Sequence, residues 1–147
     1  MTGEHLTPIE AVQHCQAIFA HAWMVRTFVK HSPEAEEFTE LMQVARVVFD
    51  VSRSLESRVE DPPAYFRQLR KKIGSLREAA KQFRVDAPLA SDHTNFRQAV
   101  ISMDACVTEW EQILRTIPSD SPTVPPKVRL PLRALDDGSS ATDDKTA

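Results

Sequence analysis

Glycine is scarce in this sequence, with three residues in 147, and this scarcity disfavours a turn-rich fold. It also excludes a glycine-rich loop that holds nucleotide phosphates, because such loops need several glycines within one turn. No stretch reaches the ~20 consecutive apolar residues of a membrane-spanning helix. The first ten residues lack the basic segment and apolar run of a secretory signal. We therefore predict a cytoplasmic protein with no membrane segment.

Cysteine is also rare, and its two copies, Cys15 and Cys106, form no paired motif of metal ligands. Both lie among apolar neighbours, which favours buried, reduced thiols over a disulfide. The formal net charge of -3 gives no reason to expect a polyanionic partner for the whole molecule. The hydrophobic fraction of 41% is that of an ordinary globular protein, so we expect a packed core.

Proline and small polar residues mark the starts of several helices. Thr7, Pro8 and Glu10 have the pattern of a capping box with proline at the first helical position, and Ser32-Pro33 and Asp61-Pro62 repeat the cap and the proline. The polar group SDHTN at 91–95 introduces another helix. Between these starts, apolar residues recur at steps of three and four. This periodicity predicts helices at about 8–31, 33–60, 62–84 and 93–117.

Long helices that are joined by short connections must run back and forth, because a short link places consecutive helices side by side. No segment shows the alternating pattern of a β-strand. We therefore predict an all-α protein in which residues 1–117 form an antiparallel four-helix bundle. Trp23 and Trp110 lie in or beside the apolar stripes and are expected to anchor the core or an interface.

The last 30 residues, 118–147, have a different composition. They hold half of the ten prolines and finish in an acidic stretch rich in serine and threonine. Such a segment buries too little apolar surface to offset its ordering entropy, so we predict a flexible tail. The exception is a short apolar segment at 128–135, which contains Leu130 and Leu132. This segment either folds back onto the bundle or docks on a partner.

Arg26 and His31 stand in an Arg-x4-His spacing. The spacing resembles the Arg-x4-6-His signature of the HEPN families, small α-helical bundles that include many ribonucleases. The resemblance implies that Arg26 stabilises the charge of a phosphodiester and that His31 transfers protons, at a cleft between two protomers. A structural alternative explains the same residues: Lys30 and His31 complement the partial negative charge at a helix C-terminus, and Arg26 pairs with acidic residues of the next helix.

The third predicted helix is strongly basic, and Glu78 is the one acidic residue within it. Its basic residues are Arg67, Arg70, Lys71, Lys72, Arg77, Lys81 and Arg84. They either pair with acidic residues of the second predicted helix, such as Glu36 and Asp50, or bind an acidic protein. A nucleic acid is not the expected partner, because no aromatic residues are interleaved with the stripe. The predicted partner-binding residues are Arg67, Arg70, Lys71, Arg77 and Lys81, with Leu130 and Leu132 of the tail.

Histidine does not form a metal-binding pattern in this chain. His14 and His21 share one helix face but lie about 10.5 Å apart along the axis, too far for one ion with Zn–N bonds of about 2.0 Å. A di-iron site in a bundle needs Glu-x-x-His pairs, and the sequence has none. His93, between Asp92 and Thr94, is interpreted as part of a helix cap. We therefore expect no metal site and no cofactor.

These patterns favour a non-enzymatic interaction or scaffold protein that acts through protein–protein contacts, with another protein or a second copy of the chain. The first alternative is a HEPN-like ribonuclease or nucleotide-binding bundle that uses Arg26 and His31. The second alternative is a carrier of a metal or cofactor.

Overall fold

A computed structural model describes residues 6–118, and within this range the protein is α-helical with no β-strand. The predicted all-α class is therefore confirmed. From residue 119 onward the predicted tail lies outside the described residues, together with Leu130 and Leu132 in the segment 128–135. The elements are α1 (Pro8–Lys30), α2 (Pro33–Glu37), a 3₁₀ turn (Thr39–Leu41), α3 (Met42–Glu56), α4 (Pro62–Ala90) and α5 (Thr94–Thr116).

Local side-chain chemistry sets the helix starts, as predicted. At α1, the Glu10 amide donates to Thr7 Oγ1 over 3.1 Å and the Thr7 amide donates to Glu10 Oε1 over 2.9 Å, which completes a capping box. Ser32 caps α2 and Asp61 caps α4 with one hydrogen bond each, in which the side chain accepts the amide N–H three residues later. At α5, His93 Nδ1 accepts the Asn95 amide N–H over 3.0 Å. Four starts are thus fixed by groups that satisfy otherwise free amides.

The predicted helix at 33–60 is divided in the structure into α2, the 3₁₀ turn and α3. Phe38 leaves the helical conformation, with φ −122° and ψ 83°. A continuous helix would place Glu36 and Glu37 within one turn of Glu40, and like charges at these spacings destabilise a helix. The break keeps Leu41 buried while the glutamates stay exposed.

The third predicted helix is longer than expected, because α4 continues from residue 84 through Pro88 to Ala90. Proline lacks an amide N–H and disfavours helix at the preceding residue, which is why the sequence predicted a loop here. Pro88 lies in the last turn, where it removes only one helical hydrogen bond. Phe83 and Ala87 are each 2% exposed, so core packing stabilises this final segment.

The core lies among the four long helices. Helix α1 packs against α3 and α5, and α4 packs against the same two helices. The indole ring of Trp110 lies 4.3 Å from the ring of Phe19, centroid to centroid. The largest fully buried side chains include Trp110, Tyr65, Ile18, Leu41, Leu69, Leu76 and Met103. This packing leaves one face of α1 and α3 partly open to solvent.

Candidate interaction site between α1 and α3

Three arginines of the basic stripe predicted on α4, Arg70, Arg77 and Arg84, contact α5. Arg77 Nε lies 2.7 Å from Glu111 Oε2, and Arg84 forms two hydrogen bonds of 3.0 and 3.1 Å to the Asp104 carboxylate. These partners differ from the acidic residues at 33–60 that the sequence suggested. Residues 77 and 84 are seven apart and therefore share one face of α4. That face lies beside α5.

The remaining predicted residues of α4 have different surroundings. Arg70 donates to the main-chain carbonyls of Leu114 and Ile117, so it caps the C-terminal end of α5. Lys71, Lys81 and Arg67 are exposed. Arg70 and Arg77 therefore stabilise the fold, while both lysines face solvent.

Arg26 and His31 line two different cavities. Arg26 faces a cavity between α1 and α3. His31 lines a cavity where the end of α1 meets the starts of α2 and α5, and His93 lines the same cavity. The two residues of the HEPN-like spacing thus do not share either of these cavities.

Arg26 is stacked against two aromatic rings. Its Cζ lies 4.1 Å from the ring centroid of Trp23, one helical turn earlier in α1, and 5.2 Å from that of Phe49 in α3. The Trp23 and Phe49 rings are themselves 6.0 Å apart. A guanidinium over aromatic faces gains cation–π attraction, which is stronger where water is partly excluded. We call these three residues the aromatic–arginine cluster.

Arg26 differs from the other half-buried arginines of residues 6–118, which are Arg58 and Arg70. Arg58 donates to the carbonyl of Ser54, and Arg70 donates to that of Leu114 over 3.0 Å. The buried Nε of Arg26 has no acceptor in this part of the chain. A desolvated polar group without a partner costs about 1–3 kcal/mol. Among these three arginines, Arg26 is therefore the one whose buried Nε–H is unsatisfied within residues 6–118.

A cavity of about 340 Å³ lies on one side of this cluster, and we call it the basic cavity. Arg26 and Lys30 reach it from α1, while Arg46 and Asp50 reach it from α3. Its lining is completed by Met42, Ala45 and Phe49. Three cations and one carboxylate thus surround an apolar floor, so the basic cavity attracts negative charge.

A second cavity of about 240 Å³ lies on the other side of Trp23, and we call it the apolar cavity. It is lined by Gln16, Phe19, Ala20, Trp23, Ser52, Leu55, Glu56, Val59 and Tyr65. Trp23 lines this cavity while its ring supports Arg26 in the basic cavity. The two cavities therefore flank the aromatic–arginine cluster on one α1–α3 surface.

A further exposed apolar area lies between the end of α4 and the start of α5. Ile101 is 58% exposed there and lines a groove with Pro88. The arginines of this groove are already engaged, because Arg84 pairs with Asp104 and Arg97 donates to Thr94 Oγ1 over 2.9 Å. Among the described residues of this groove, no arginine has a buried nitrogen without an acceptor, in contrast to Arg26 on the α1–α3 surface.

Both cysteines are buried free thiols. Burial raises the pKa of Cys15 to about 12. Burial, and to a lesser degree the charge of Glu109, raises the pKa of Cys106 to about 11. Both thiols are therefore protonated at neutral pH, and a protonated thiol is a poor nucleophile.

Sequence reasoning placed Trp23 at the core or an interface but missed its contact with Phe49. One signal was present in the sequence: Phe49 follows Val48 directly, so it does not belong to the row of Ala45, Val48 and Ser52, which are spaced three and four residues apart. An aromatic residue off the seam of an amphipathic helix indicates a surface contact. The pairing itself required the non-local approach of α3 to α1.

Within residues 6–118, no group of three or more histidine, cysteine or acidic side chains has the geometry to hold a metal ion. No helix in the same range combines the length and apolar character that crossing a membrane requires. Comparison of the chain with protein-family models, curated proteins and solved structures gave no match.

Proposed function

We propose that this protein is a non-enzymatic interaction protein that binds an acidic, amphipathic segment of a partner protein across the α1–α3 surface. The observation that carries this proposal is Arg26, a half-buried cation that is held against Trp23 and Phe49 and whose buried Nε–H has no acceptor in the described chain. Arginine and tryptophan at the centre of a surface are the residue types that dominate binding energy in protein interfaces.

The proposed ligand has an apolar end and an acidic end. The apolar cavity accepts the hydrophobic side chains, and the basic cavity accepts the carboxylates. From Gln16 to Lys30 the helix rises about 21 Å. A partner helix of about four turns covers this distance, which fits helix-in-groove recognition.

In this proposal the long helices α1, α3, α4 and α5 form an antiparallel four-helix bundle that acts as a rigid scaffold. Two facts support this arrangement. Each of the four packs against at least two of the others, and Gln16 in the first half of α1 lines one cavity with Leu55 near the end of α3. A cytoplasmic location is proposed on the basis of the two free thiols.

The test uses the full chain and a designed helical peptide of about 15 residues, with leucines on one face at one end and glutamates at the other. Trp23 is half-buried whereas Trp110 is fully buried, so ligand contact changes the emission of Trp23. We expect a saturable fluorescence change that weakens as salt is added, because the ion pairs are partly exposed. A peptide with lysine in place of glutamate is expected to give none.

Matched variants locate the site. Arg46→Gln removes one exposed cation of the basic cavity, and Lys81→Gln removes one exposed cation from α4. Binding is expected to weaken in the first variant and to be retained in the second. The proposal is overturned if the lysine peptide binds as tightly as the glutamate peptide. It is also overturned if Arg46→Gln and Lys81→Gln weaken binding to the same degree. If the chain forms a dimer and Trp23→Ala abolishes that dimer, the proposal is overturned, because a second copy of the chain then occupies the surface.

A further inference from the structure

The basic cavity has a charge that suits a doubly charged anion. Arg26, Lys30 and Arg46 contribute three positive charges, and Asp50 contributes one negative charge. No ion pair neutralises these cations within the described residues, in contrast to Arg77 and Arg84 on α4. The basic cavity therefore keeps a net charge of two positive units, whereas one carboxylate of a ligand supplies only one negative charge.

We propose that the basic cavity recognises a phosphomonoester on the acidic segment of the partner protein, an inference that rests on the proposed function. A phosphorylated side chain carries a charge of about −1.5 to −2 at neutral pH and three strong acceptor oxygens. Two guanidinium groups, from Arg26 and Arg46, offer planar pairs of N–H donors that match phosphate oxygens. Lys30 adds a third cation from α1.

The aromatic–arginine cluster prepares this site for the anion. Packing between Trp23 and Phe49 holds the Arg26 guanidinium in place before the ligand arrives, so less side-chain entropy is lost on binding. The partial exclusion of water strengthens each charge-assisted hydrogen bond. Met42 and Ala45 add apolar side chains to the lining of the basic cavity.

The binding test compares two peptides that differ in one group. The first is the leucine–glutamate peptide described above, and the second carries phosphoserine in place of one glutamate of its acidic end. Affinities for the full chain are measured by fluorescence anisotropy of labelled peptides. We expect the phosphorylated peptide to bind roughly tenfold more tightly, because charge-assisted bonds to a dianion replace those to a monoanion.

The variants assign this gain to the cavity. In Arg46→Gln the advantage of the phosphorylated peptide is expected to fall to about twofold or less, while Lys81→Gln keeps it in full. The Nε–H signal of Arg26 in a ¹H–¹⁵N spectrum is a direct site readout, since this group is buried and without an acceptor. It is expected to shift with phenyl phosphate, a dianion, and to shift little with phenyl sulfate, a monoanion of similar shape.

The outcomes separate this inference from the proposed function. Suppose that the glutamate peptide binds, that Arg46→Gln weakens this binding, and that phosphorylation does not increase the affinity. The phosphomonoester inference then fails and the proposed function stands. If the gain persists in Arg46→Gln, the phosphate binds elsewhere and the inference fails. If inorganic phosphate alone binds as tightly as the phosphopeptide, the ligand is free phosphate and the inference of a phosphorylated partner is overturned. If neither peptide binds, both proposals fail.

Discussion

Trp110 of α5 donates its indole N–H to the main-chain carbonyl of Cys15 in α1, and the two atoms are 3.5 Å apart. The same ring lies 4.3 Å from the ring of Phe19 and is fully buried. The contact joins two residues that are 95 positions apart in the sequence. Trp110 therefore couples the first and last described helices through both packing and a hydrogen bond.

Truncation of Trp110 is expected to be the most damaging single change in the core. Trp110→Ala removes a fully buried ring and should lower the free energy of unfolding by about 3–5 kcal/mol. Trp110→Phe keeps part of the ring contact and loses the indole N–H, so we expect a smaller loss. Guanidinium denaturation followed by circular dichroism measures both. Trp23→Phe, at a half-buried surface position, is the control, and a loss there as large as in Trp110→Ala would contradict this account.

Arg70 is predicted to stabilise the end of α5 and not to bind a partner. Its guanidinium donates to the carbonyls of Leu114 and Ile117, which no helical amide satisfies. Arg70→Met keeps the aliphatic stem and removes the donors, so we expect a loss of about 1–3 kcal/mol in the free energy of unfolding.

Hydrogen exchange locates this effect. Amides in the last turn of α5 are expected to exchange faster in Arg70→Met, while those near Phe96 at the other end of the helix change less. Lys71→Met, at the adjacent exposed position, is the matched control. Equal exchange at the end of α5 in both variants would show that the Arg70 hydrogen bonds contribute nothing.

The helix starts could be predicted because each depends on residues within one turn. Thr7 with Glu10, Ser32 and Asp61 carry their capping chemistry in the local sequence, and the structure has these bonds. The interruption at Phe38 was missed because the apolar spacing continues across it, although the glutamates on either side disfavour a continuous helix. Helical periodicity reports which side chains are buried, not whether the backbone between them is continuous.

The partners of the charged residues could not be predicted from spacing. Arg77 had acidic candidates both at 33–60 and on α5, and only the packing of α4 brings Glu111 within 2.7 Å. The stack of Arg26 on Phe49 is non-local in the same way, because it depends on the distance between α1 and α3. Local sequence therefore indicated where most helices start, and tertiary contacts decided the site.

The buried ionisable groups predict that stability falls at alkaline pH. Burial raises the folded-state pKa of Cys15 to about 12 and of Cys106 to about 11, from 9.0. Burial, and secondarily the charge of Cys15, also raises the pKa of Tyr65. As the pH rises, these groups lose their protons in the unfolded chain before they do so in the folded protein. Their stabilising contribution to the free energy of unfolding is therefore complete below about pH 9 and is lost as the pH rises towards 11 and 12.

Urea denaturation between pH 8 and pH 10.5 checks this dependence. Each thiol that is ionised only in the unfolded chain is expected to lower the free energy of unfolding by about 1.4 kcal/mol per pH unit. Cys15→Ala removes one such group and should flatten the decline, whatever its effect at pH 8. An unchanged slope in that variant would mean that the Cys15 thiol ionises equally in both states.

Asp86 is predicted to destabilise the fold by virtue of its charge. The side chain is 5% exposed, and its Oδ1 accepts the Gln82 Nε2–H over 3.0 Å. The buried Oδ2 has no hydrogen-bond partner among residues 6–118. A buried carboxylate with one unsatisfied oxygen bears a desolvation cost that a neutral amide of the same shape largely avoids. Asp86→Asn should therefore raise the free energy of unfolding by about 1 kcal/mol.

The Gln82→Ala variant tests the hydrogen bond between Gln82 and Asp86 by removing the donor. It removes the one donor to Asp86 among residues 6–118 and leaves both carboxylate oxygens unsatisfied there, so we expect a loss of about 1–3 kcal/mol. Adding Asp86→Asn to this variant should recover part of the loss, because the neutral amide tolerates the missing donor better than the carboxylate does. Chemical denaturation of the four proteins gives the coupling between the two positions. If Asp86→Asn alone were less stable than the parent, the negative charge itself would be stabilising, and the neighbours of Oδ2 would have to include a cation.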